Sequence, residues 1–147
     1  AGCALISFMC ALSFIDGGPT MMLVIAAACG ICLGFLWHNA NPASVFMGDV
    51  GAHFLAGLLL SVCLNSGVLI FVIPLGFFFG VEILSVTIQI IAIRCFHRKV
   101  FKMSPIHHHF EMSGWKETQI VTRFWVMHII GICVLMSLLF YFALRNF

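Results

Sequence analysis

Five apolar runs dominate this sequence of 147 residues, and most of them are long enough to cross a lipid bilayer. Crossing the hydrocarbon core takes about 20 apolar residues in a helix, which rises about 1.5 Å per residue. Charged residues make up only 8% of the chain, against roughly a quarter in soluble domains. The sequence therefore predicts an all-α, polytopic transmembrane helical bundle and excludes a water-soluble fold.

The residues between the runs set the boundaries of the expected spans. The predicted spans cover residues 1–15, 19–37, 50–65, 67–93 and 119–144 of a single membrane domain. Turn-forming residues at 16–19 and 65–67 predict that the helices on either side are antiparallel neighbours. The fourth run contains Pro74 and Gly76, so a tilt or kink is expected there.

Two longer polar breaks, residues 38–49 and 94–118, contain most of the side chains that could do chemistry. The second break is cationic and carries five of the seven lysines and arginines: Arg94, Arg98, Lys99, Lys102 and Lys116. By the positive-inside rule this loop faces the cytoplasm. Counting spans from it puts residues 38–49 on the same side, so both polar loops are expected at one face of the membrane.

Within the predicted spans, two kinds of residue stand out. Glu82 and Gln89 are seven positions apart, two helical turns, and therefore share a helix face. A carboxylate inside a span indicates either a functional site or a protonated or ion-paired structural residue, and both interpretations stay open. Two Gly-x-x-x-Gly patterns, at 30–34 and 76–80, predict close helix packing rather than function.

Asp49 is the most conspicuous acidic residue of the first polar break. It stands between two glycines and directly precedes a predicted helix. A helix N-terminus offers free N–H donors and the positive end of the dipole, which suits phosphate. An aspartate at that position is equally well explained as an N-cap without any further function.

Three consecutive histidines, His107, His108 and His109, mark the second polar break. Because adjacent residues do not share a helix face, and because Pro105 disfavours helix before it, we expect a loop or extended segment in which the imidazoles converge. Facing Asp49 across the same membrane surface, this loop suits a divalent-metal and phosphate site. The alternative is a basic loop that binds lipid headgroups, with incidental histidines.

Two motifs are similar to those of the polyprenyl-phosphate N-acetylhexosamine-1-phosphate transferases, and most closely to the branch that transfers phospho-N-acetylmuramoyl-pentapeptide. Residues 39–51 read N-A-N-P-A-S-V-F-M-G-D-V-G, and residues 104–111 read S-P-I-H-H-H-F-E. Gly114-Trp115 and Arg123-Phe124-Trp125 follow in the family's order. The resemblance runs through most of the chain, and the combination of both motifs is specific.

The resemblance implies a Mg²⁺-dependent enzyme of the bacterial cytoplasmic (inner) membrane with about ten spans and an active site that faces the cytoplasm. Such enzymes move phospho-MurNAc-pentapeptide from UDP to undecaprenyl phosphate, forming lipid I and UMP in peptidoglycan synthesis. The protein's expected contribution is positioning and electrostatic stabilisation. The resemblance covers about the last five spans, without the family's N-terminal aspartates and lysine, so this chain alone is expected to be inactive.

The resemblance also assigns roles to individual positions. Asp49 matches the Mg²⁺-binding aspartate, and Phe46 matches the residue that stacks on uracil. The other matches are Asn39 and Gln89 in the nucleotide-sugar pocket and His107, His108 and His109 in the catalytic histidine motif. One departure is Ala52, where relatives commonly carry a serine that could donate a hydrogen bond near the site.

Three other functions compete with this interpretation. Within the family, the donor could be UDP-GlcNAc or another UDP-HexNAc, although the unbroken histidine triplet followed by Gly114-Trp115 favours the muramoyl-pentapeptide branch. A membrane transporter would explain Glu82 inside a span, but the sequence has no internal repeat. A noncatalytic scaffold leaves the two motifs unexplained. Membrane lipid is an expected partner and nucleic acid is not, while a homodimer stays open.

Overall fold

The fold is a bundle of helices, seen in a computed structural model that describes residues 1–15 and 17–145. No strand occurs in these two ranges, which confirms the predicted all-α class. The helices are α1 (Gly2–Phe14), α2 (Gly18–Asn39), α3 (Asp49–Asn65), a 3₁₀ turn (Leu69–Phe71), α4 (Val72–Leu75), α5 (Phe77–Phe96), α6 (Ile106–Glu111) and α7 (Glu117–Arg145).

Three of these helices, α2, α5 and α7, are long and apolar enough to cross a membrane. The helices α1 and α3 are apolar but shorter. Large apolar side chains point outward along the bundle, as at Leu23, which is 71% exposed, and Ile83, which is 68% exposed. Contiguous apolar surface of this kind is unfavourable in water and is normal against lipid tails.

Short turns join the first helices as predicted. The α1 and α2 helices pack side by side. The α2 helix begins at Gly18, whose φ of 75° is a value that glycine adopts readily and other residues rarely do, and Pro19 lies in its first turn. Asp16 of the predicted turn lies outside the described residues. At the end of α3, Gly67 has a φ of 69° and its N–H donates to the carbonyl of Leu64. This reverses the chain onto α3.

The predicted span 67–93 is divided, and the expected kink lies at Gly76. There α4 ends and α5 begins, with the Gly76 N–H donating to the carbonyl of Val72. Pro74 lacks an N–H and Gly76 has no side chain to pack, so both residues weaken a continuous helix at this point. A break at membrane depth leaves backbone groups that need partners from neighbouring helices.

Two clusters of buried side chains hold the bundle together. The larger lies between α1, α2, α3 and α4 and includes Phe8, Ile25, Val62 and Leu75, all 1% exposed or less. The smaller consists of Phe78, Ile120 and Phe124, with Ile106, Phe110 and Trp115 packed against it. This second cluster lies where α5 and α7 meet α6, and it forms the base of the histidine-bearing segment.

The close helix packing predicted at the two Gly-x-x-x-Gly patterns is wrong for the described chain. A Cβ added at Gly30, Gly34 or Gly80 would meet no atom within 4 Å, and the nearest atom at Gly76 is the carbonyl oxygen of Val72 in the preceding turn. Close helix contacts occur instead at Gly131, where the ring of Phe77 occupies the space of the missing side chain, and at Gly2, which packs in the same way against Trp125.

Candidate functional site

Two loops lie at the same end of the bundle. The first loop, residues 40–48, joins α2 to α3, and the second loop, residues 97–116, joins α5 to α7 and contains α6. An open concavity of about 580 Å³ lies between them, lined by Asn41 of the first loop together with Glu111, Trp115, Lys116, Glu117 and Thr118. The two polar segments are therefore neighbours in space, as a shared site requires.

Hydrogen bonds within the first loop hold it in a compact shape. Asn39, at the end of α2, donates from Nδ2 to the carbonyl of Val45 over 2.8 Å, and the Ser44 hydroxyl donates to the carbonyl of His38 over 2.8 Å. Phe46 follows directly and is 81% exposed. An exposed aromatic ring on a braced loop presents a flat apolar face, and Asn39 is the residue that braces the loop.

Asp49 is the first residue of α3, and Gly48 occupies the N-cap position. Because Asp49 is the first helical residue and not the N-cap, the N-cap explanation of this residue is wrong. The carboxylate is exposed at the positive end of the helix dipole. Within the described ranges it has no hydrogen bond or ion pair with the three histidines of residues 107–109.

The described residues include few side chains that are placed to bind Mg²⁺. Among residues 1–15 and 17–145, no three His, Cys, Asp or Glu side chains converge to hold a metal ion. Mg²⁺ usually takes one or two protein carboxylates and completes its shell with water and substrate phosphate. The exposed carboxylate of Asp49 fits as one such ligand, and a complete metal centre would need further oxygen donors.

The histidines lie on a short helix, so the predicted loop or extended conformation is wrong. Pro105 occupies the N-cap of α6, and Ile106–Glu111 is helical. A proline is compatible with the start of a helix, where its missing N–H is not needed. On a helix, consecutive side chains point about 100° apart, so the three imidazoles do not all converge. The ring centroids of His107 and His108 lie 4.2 Å apart, and each of the three imidazoles has its own hydrogen-bond partner.

Each histidine has a distinct hydrogen-bond partner. His107 Nδ1 lies 3.1 Å from Oε1 of Glu82, and His108 Nδ1 lies 2.7 Å from Oε2 of Glu111. His109 Nδ1 instead accepts the backbone N–H of Lys102 over 3.1 Å. Ionised carboxylates only accept, so His107 and His108 carry hydrogen on Nδ1, whereas a neutral His109 carries it on Nε2. All three imidazoles therefore offer Nε2 to a ligand, as an acceptor on neutral His107 and His108 and as an N–H donor on His109.

One face of α5 carries the contacts that hold the second loop. Phe78, Glu82, Ser85, Gln89 and Ala92 follow each other at spacings of three and four residues, and all except Glu82 are buried. The Gln89 side chain is 6% exposed and makes three hydrogen bonds: its amide oxygen accepts the N–H groups of Val100 and Phe101, and its amide nitrogen donates to the Phe101 carbonyl. Its predicted contact with substrate stays a prediction.

Aromatic stacking supports the other side of the second loop. The rings of Phe110 and Trp115 stack with centroids 4.6 Å apart, and the guanidinium carbon of Arg123 lies 4.0 Å from the Trp115 centroid. Phe124 contacts both Phe110 and Phe78 through its ring. The residues 114–115 and 123–125 that carry part of the resemblance thus include the platform beneath α6.

The buried polar residues Ser7 and His128 were not among the residues predicted from the sequence. Both are 0% exposed, and the backbone N–H of Phe78 points to Nδ1 of His128 at 3.4 Å. A histidine inside an otherwise apolar helix was the available signal, since ionisable residues are rare and costly there. Glu82 and His107 were each identified, but their pairing was not.

The fold and the site together define a class: a polytopic all-α membrane protein with a cationic, histidine-bearing polar site at one end of its bundle. Residues 1–67 match the family described as Glycosyl transferase family 4. The resemblance seen in the motifs is confirmed by curated relatives whose name is phospho-N-acetylmuramoyl-pentapeptide-transferase.

Three of these relatives come from mycobacteria. Those of Mycolicibacterium smegmatis, Mycobacterium leprae and Mycobacterium avium are 47%, 46% and 45% identical to this chain over 121 residues. In each case the alignment covers 82% of this chain and 33% of the relative. The chain thus spans about a third of the length of the curated relatives it matches.

Proposed function

We propose that this chain is the C-terminal part of an enzyme that transfers phospho-MurNAc-pentapeptide from UDP to undecaprenyl phosphate, yielding lipid I and UMP. The observation that carries the proposal is the 47% identity to a phospho-N-acetylmuramoyl-pentapeptide-transferase over a stretch that contains both polar loops. The fold supports it, because the two motifs that carry the resemblance lie at one end of the bundle, around a shared concavity.

The reaction moves a phospho-sugar between two phosphates. An oxygen of the lipid phosphate attacks the sugar-linked phosphorus of the UDP donor, a new pyrophosphate bond forms, and UMP leaves. Little covalent chemistry falls to the protein, so it acts by positioning the reactants and by stabilising charge. Lys102, whose backbone N–H bonds His109, and Lys116, which lines the concavity, supply positive charge in the second loop.

The three histidines are suited to different tasks in this reaction. A neutral His109 presents an Nε2–H donor, which can hold a phosphate oxygen. His107 and His108 present an unprotonated Nε2 while neutral and a second N–H donor when protonated. We assign the three residues to binding and charge stabilisation of the phosphates.

Asp49 is the residue that we assign to Mg²⁺. The ion would neutralise phosphate charge and polarise the P–O bonds, as divalent ions do in phosphoryl transfer. Asp49 would contribute one oxygen ligand from the first turn of α3. On the first loop, which precedes α3, Phe46 would stack on the uracil. Asn39 would keep that loop in place beside the nucleotide.

The membrane orientation belongs to the same proposal. The cationic second loop faces the cytoplasm of a bacterium by the positive-inside rule, where a soluble UDP-sugar is available. The lipid carrier reaches the same end of the bundle from within the cytoplasmic membrane. A UDP-HexNAc donor is the second candidate, because it uses the same phosphates and the same lipid.

The test is a UMP-release assay on the full-length protein, expressed from its source DNA with any coding sequence that precedes residue 1. UDP-MurNAc-pentapeptide and undecaprenyl phosphate are supplied with Mg²⁺, and EDTA-treated samples serve as the control. Mg²⁺-dependent release with this donor supports the proposal. Release with UDP-GlcNAc alone would move the protein to the sister branch, and no release with either donor would refute transferase activity.

A further inference from the structure

We propose that Glu82 is a positioning residue that sets the orientation and tautomer of His107, with Gln89 holding the same loop further along α5. The role in catalysis rests on the proposed function, since it acts through a histidine assigned to the phosphates. The hydrogen bonds that orient His107 do not depend on the proposed function. Both residues lie on the α5 face that the second loop covers, and together they fix the loop at two points.

Glu82 contacts two successive residues at the start of α6. Its Oε2 accepts the backbone N–H of Ile106, and its Oε1 accepts Nδ1–H of His107, each over 3.1 Å. A carboxylate in this position keeps the hydrogen of the imidazole on Nδ1 and leaves Nε2 directed away as an acceptor. Carboxylate partners set ring orientation in this way in metal-bound and catalytic histidines.

The pair formed by His108 provides a contrast within the same helix. Its partner Glu111 lies three residues further along α6, and both side chains are about 40% exposed. A pair within one short helix moves with that helix and cannot hold it against the bundle. Glu82 lies on α5 with only 20% of its side chain exposed, so the Glu82–His107 pair ties α6 to the bundle.

Gln89 provides the second point of attachment. Its amide oxygen and nitrogen bind three backbone groups of Val100 and Phe101 at 2.9 to 3.1 Å. Irregular backbone next to a membrane needs such partners, because no water replaces them in a buried position. Glu82 and Gln89 are two turns apart, about 10 Å along the helix axis. The four loop residues between their contacts, 102–105, are therefore held at both ends.

The decisive experiment is a double-mutant cycle in the full-length protein, followed by UMP release. We expect Glu82→Gln to lower kcat by about 10- to 100-fold, with KM for the UDP-sugar changed by less than about threefold, as for other partners of functional histidines. In a His107→Ala background, Glu82→Gln should change kcat by less than about threefold, because the residue acts through His107. Multiplicative losses, or a loss confined to KM, would overturn the inference.

Gln89→Leu is tested beside Gln119→Leu, which changes an exposed glutamine on α7. Gln89→Leu should lower kcat while the KM for the UDP-sugar changes little, whereas Gln119→Leu should leave both unchanged. A rise in KM with kcat unchanged would instead make Gln89 a substrate contact and would remove it from the positioning role.

A readout that is independent of activity separates this inference from the proposed function. The ¹⁵N shifts of the His107 ring, recorded on the full-length protein, should report hydrogen on Nδ1 in the wild type and loss of that preference in Glu82→Gln. A wild-type His107 with hydrogen only on Nε2 would overturn the inference even in an active enzyme. An Nδ1–H tautomer in a protein without transferase activity would support the positioning while the proposed function fails.

Discussion

Ser7 and His128, 121 positions apart in the sequence, share a buried hydrogen bond of 2.9 Å between Ser7 Oγ and His128 Nε2. The Ser7 hydroxyl also lies 2.6 Å from the carbonyl oxygen of Leu75, directly before the helix break at Gly76. On the other side of the break, His128 Nδ1 accepts the N–H of Phe78. Side chains from α1 and α7 thus satisfy backbone groups that the break between α4 and α5 leaves without helical partners.

Replacing Ser7 by alanine should therefore destabilise the bundle. The carbonyl of Leu75 and the ring of His128 would each lose a partner in a fully buried site, which costs about 1–3 kcal/mol. The measurement is thermal or denaturant unfolding of the purified chain in detergent micelles. Ser13→Ala on the same helix is the matched control, because the Ser13 hydroxyl is exposed and, among residues 1–15 and 17–145, bonds only the Met9 carbonyl, at 3.3 Å. Equal losses from both variants would contradict the role of the buried network.

Gly131→Ala should also destabilise the protein, since a new Cβ would meet the ring of Phe77. Overpacking of this kind costs about 1–3 kcal/mol. Gly30→Ala is the control, because that position faces open space and alanine favours a helix over glycine by up to about 1 kcal/mol. The unfolding midpoint of both variants in micelles decides the matter. A Gly131→Ala protein as stable as the control would disprove close packing between α5 and α7.

Asp49→Asn tests the proposed metal ligand in the full-length protein. The change is nearly isosteric and the side chain is exposed, so unfolding should be unaffected. UMP release should fall by more than the roughly 10- to 100-fold typical of residues that only support a metal ligand. Activity is followed across a Mg²⁺ titration, with helical content by circular dichroism as the check on folding. Wild-type turnover at all Mg²⁺ concentrations would remove Asp49 from the metal role.

Phe46→Ala should weaken binding of the UDP donor by about 1–3 kcal/mol, the usual contribution of an aromatic ring stacked on a base. Phe46 is 81% exposed, so its loss removes little packing within the chain. Trp37→Ala is a suitable comparison, as that ring is 84% exposed on neighbouring α2 and is assigned no contact with the nucleotide. Affinity for UDP, measured by calorimetry in the full-length protein, should fall only for the Phe46 variant. An equal loss in both would argue against stacking.

Much of the architecture follows from local sequence. The apolar runs predicted five helices whose ends agree with α1, α2, α3 and α7 within about two residues, because run length and turn residues are local signals. Pro74 and Gly76 likewise indicated where the fourth run would bend. The motifs placed Asp49 and the histidines at polar segments, and the relatives confirm the resemblance that these motifs carry.

What the sequence could not determine depends on contacts between distant residues. Pro105 is compatible with an extended segment or with the start of a helix. The helix is stabilised by Glu82, whose carboxylate accepts hydrogen bonds from the Ile106 backbone N–H and from His107 Nδ1, 24 and 25 positions further along the chain. The close packing at Gly131 likewise depends on Phe77, and Ser7 and His128 acquire their function only beside a break in a third helix.

The sequence by itself thus determined the membrane class, the approximate spans, and which segments carry polar chemistry, because helix length and hydrophobicity act locally. The tertiary structure decided which histidine holds which tautomer, and which side chains satisfy the broken helix. These properties depend on hydrogen-bond partners brought together by helix packing, and no local pattern encodes the distance between two atoms on different helices.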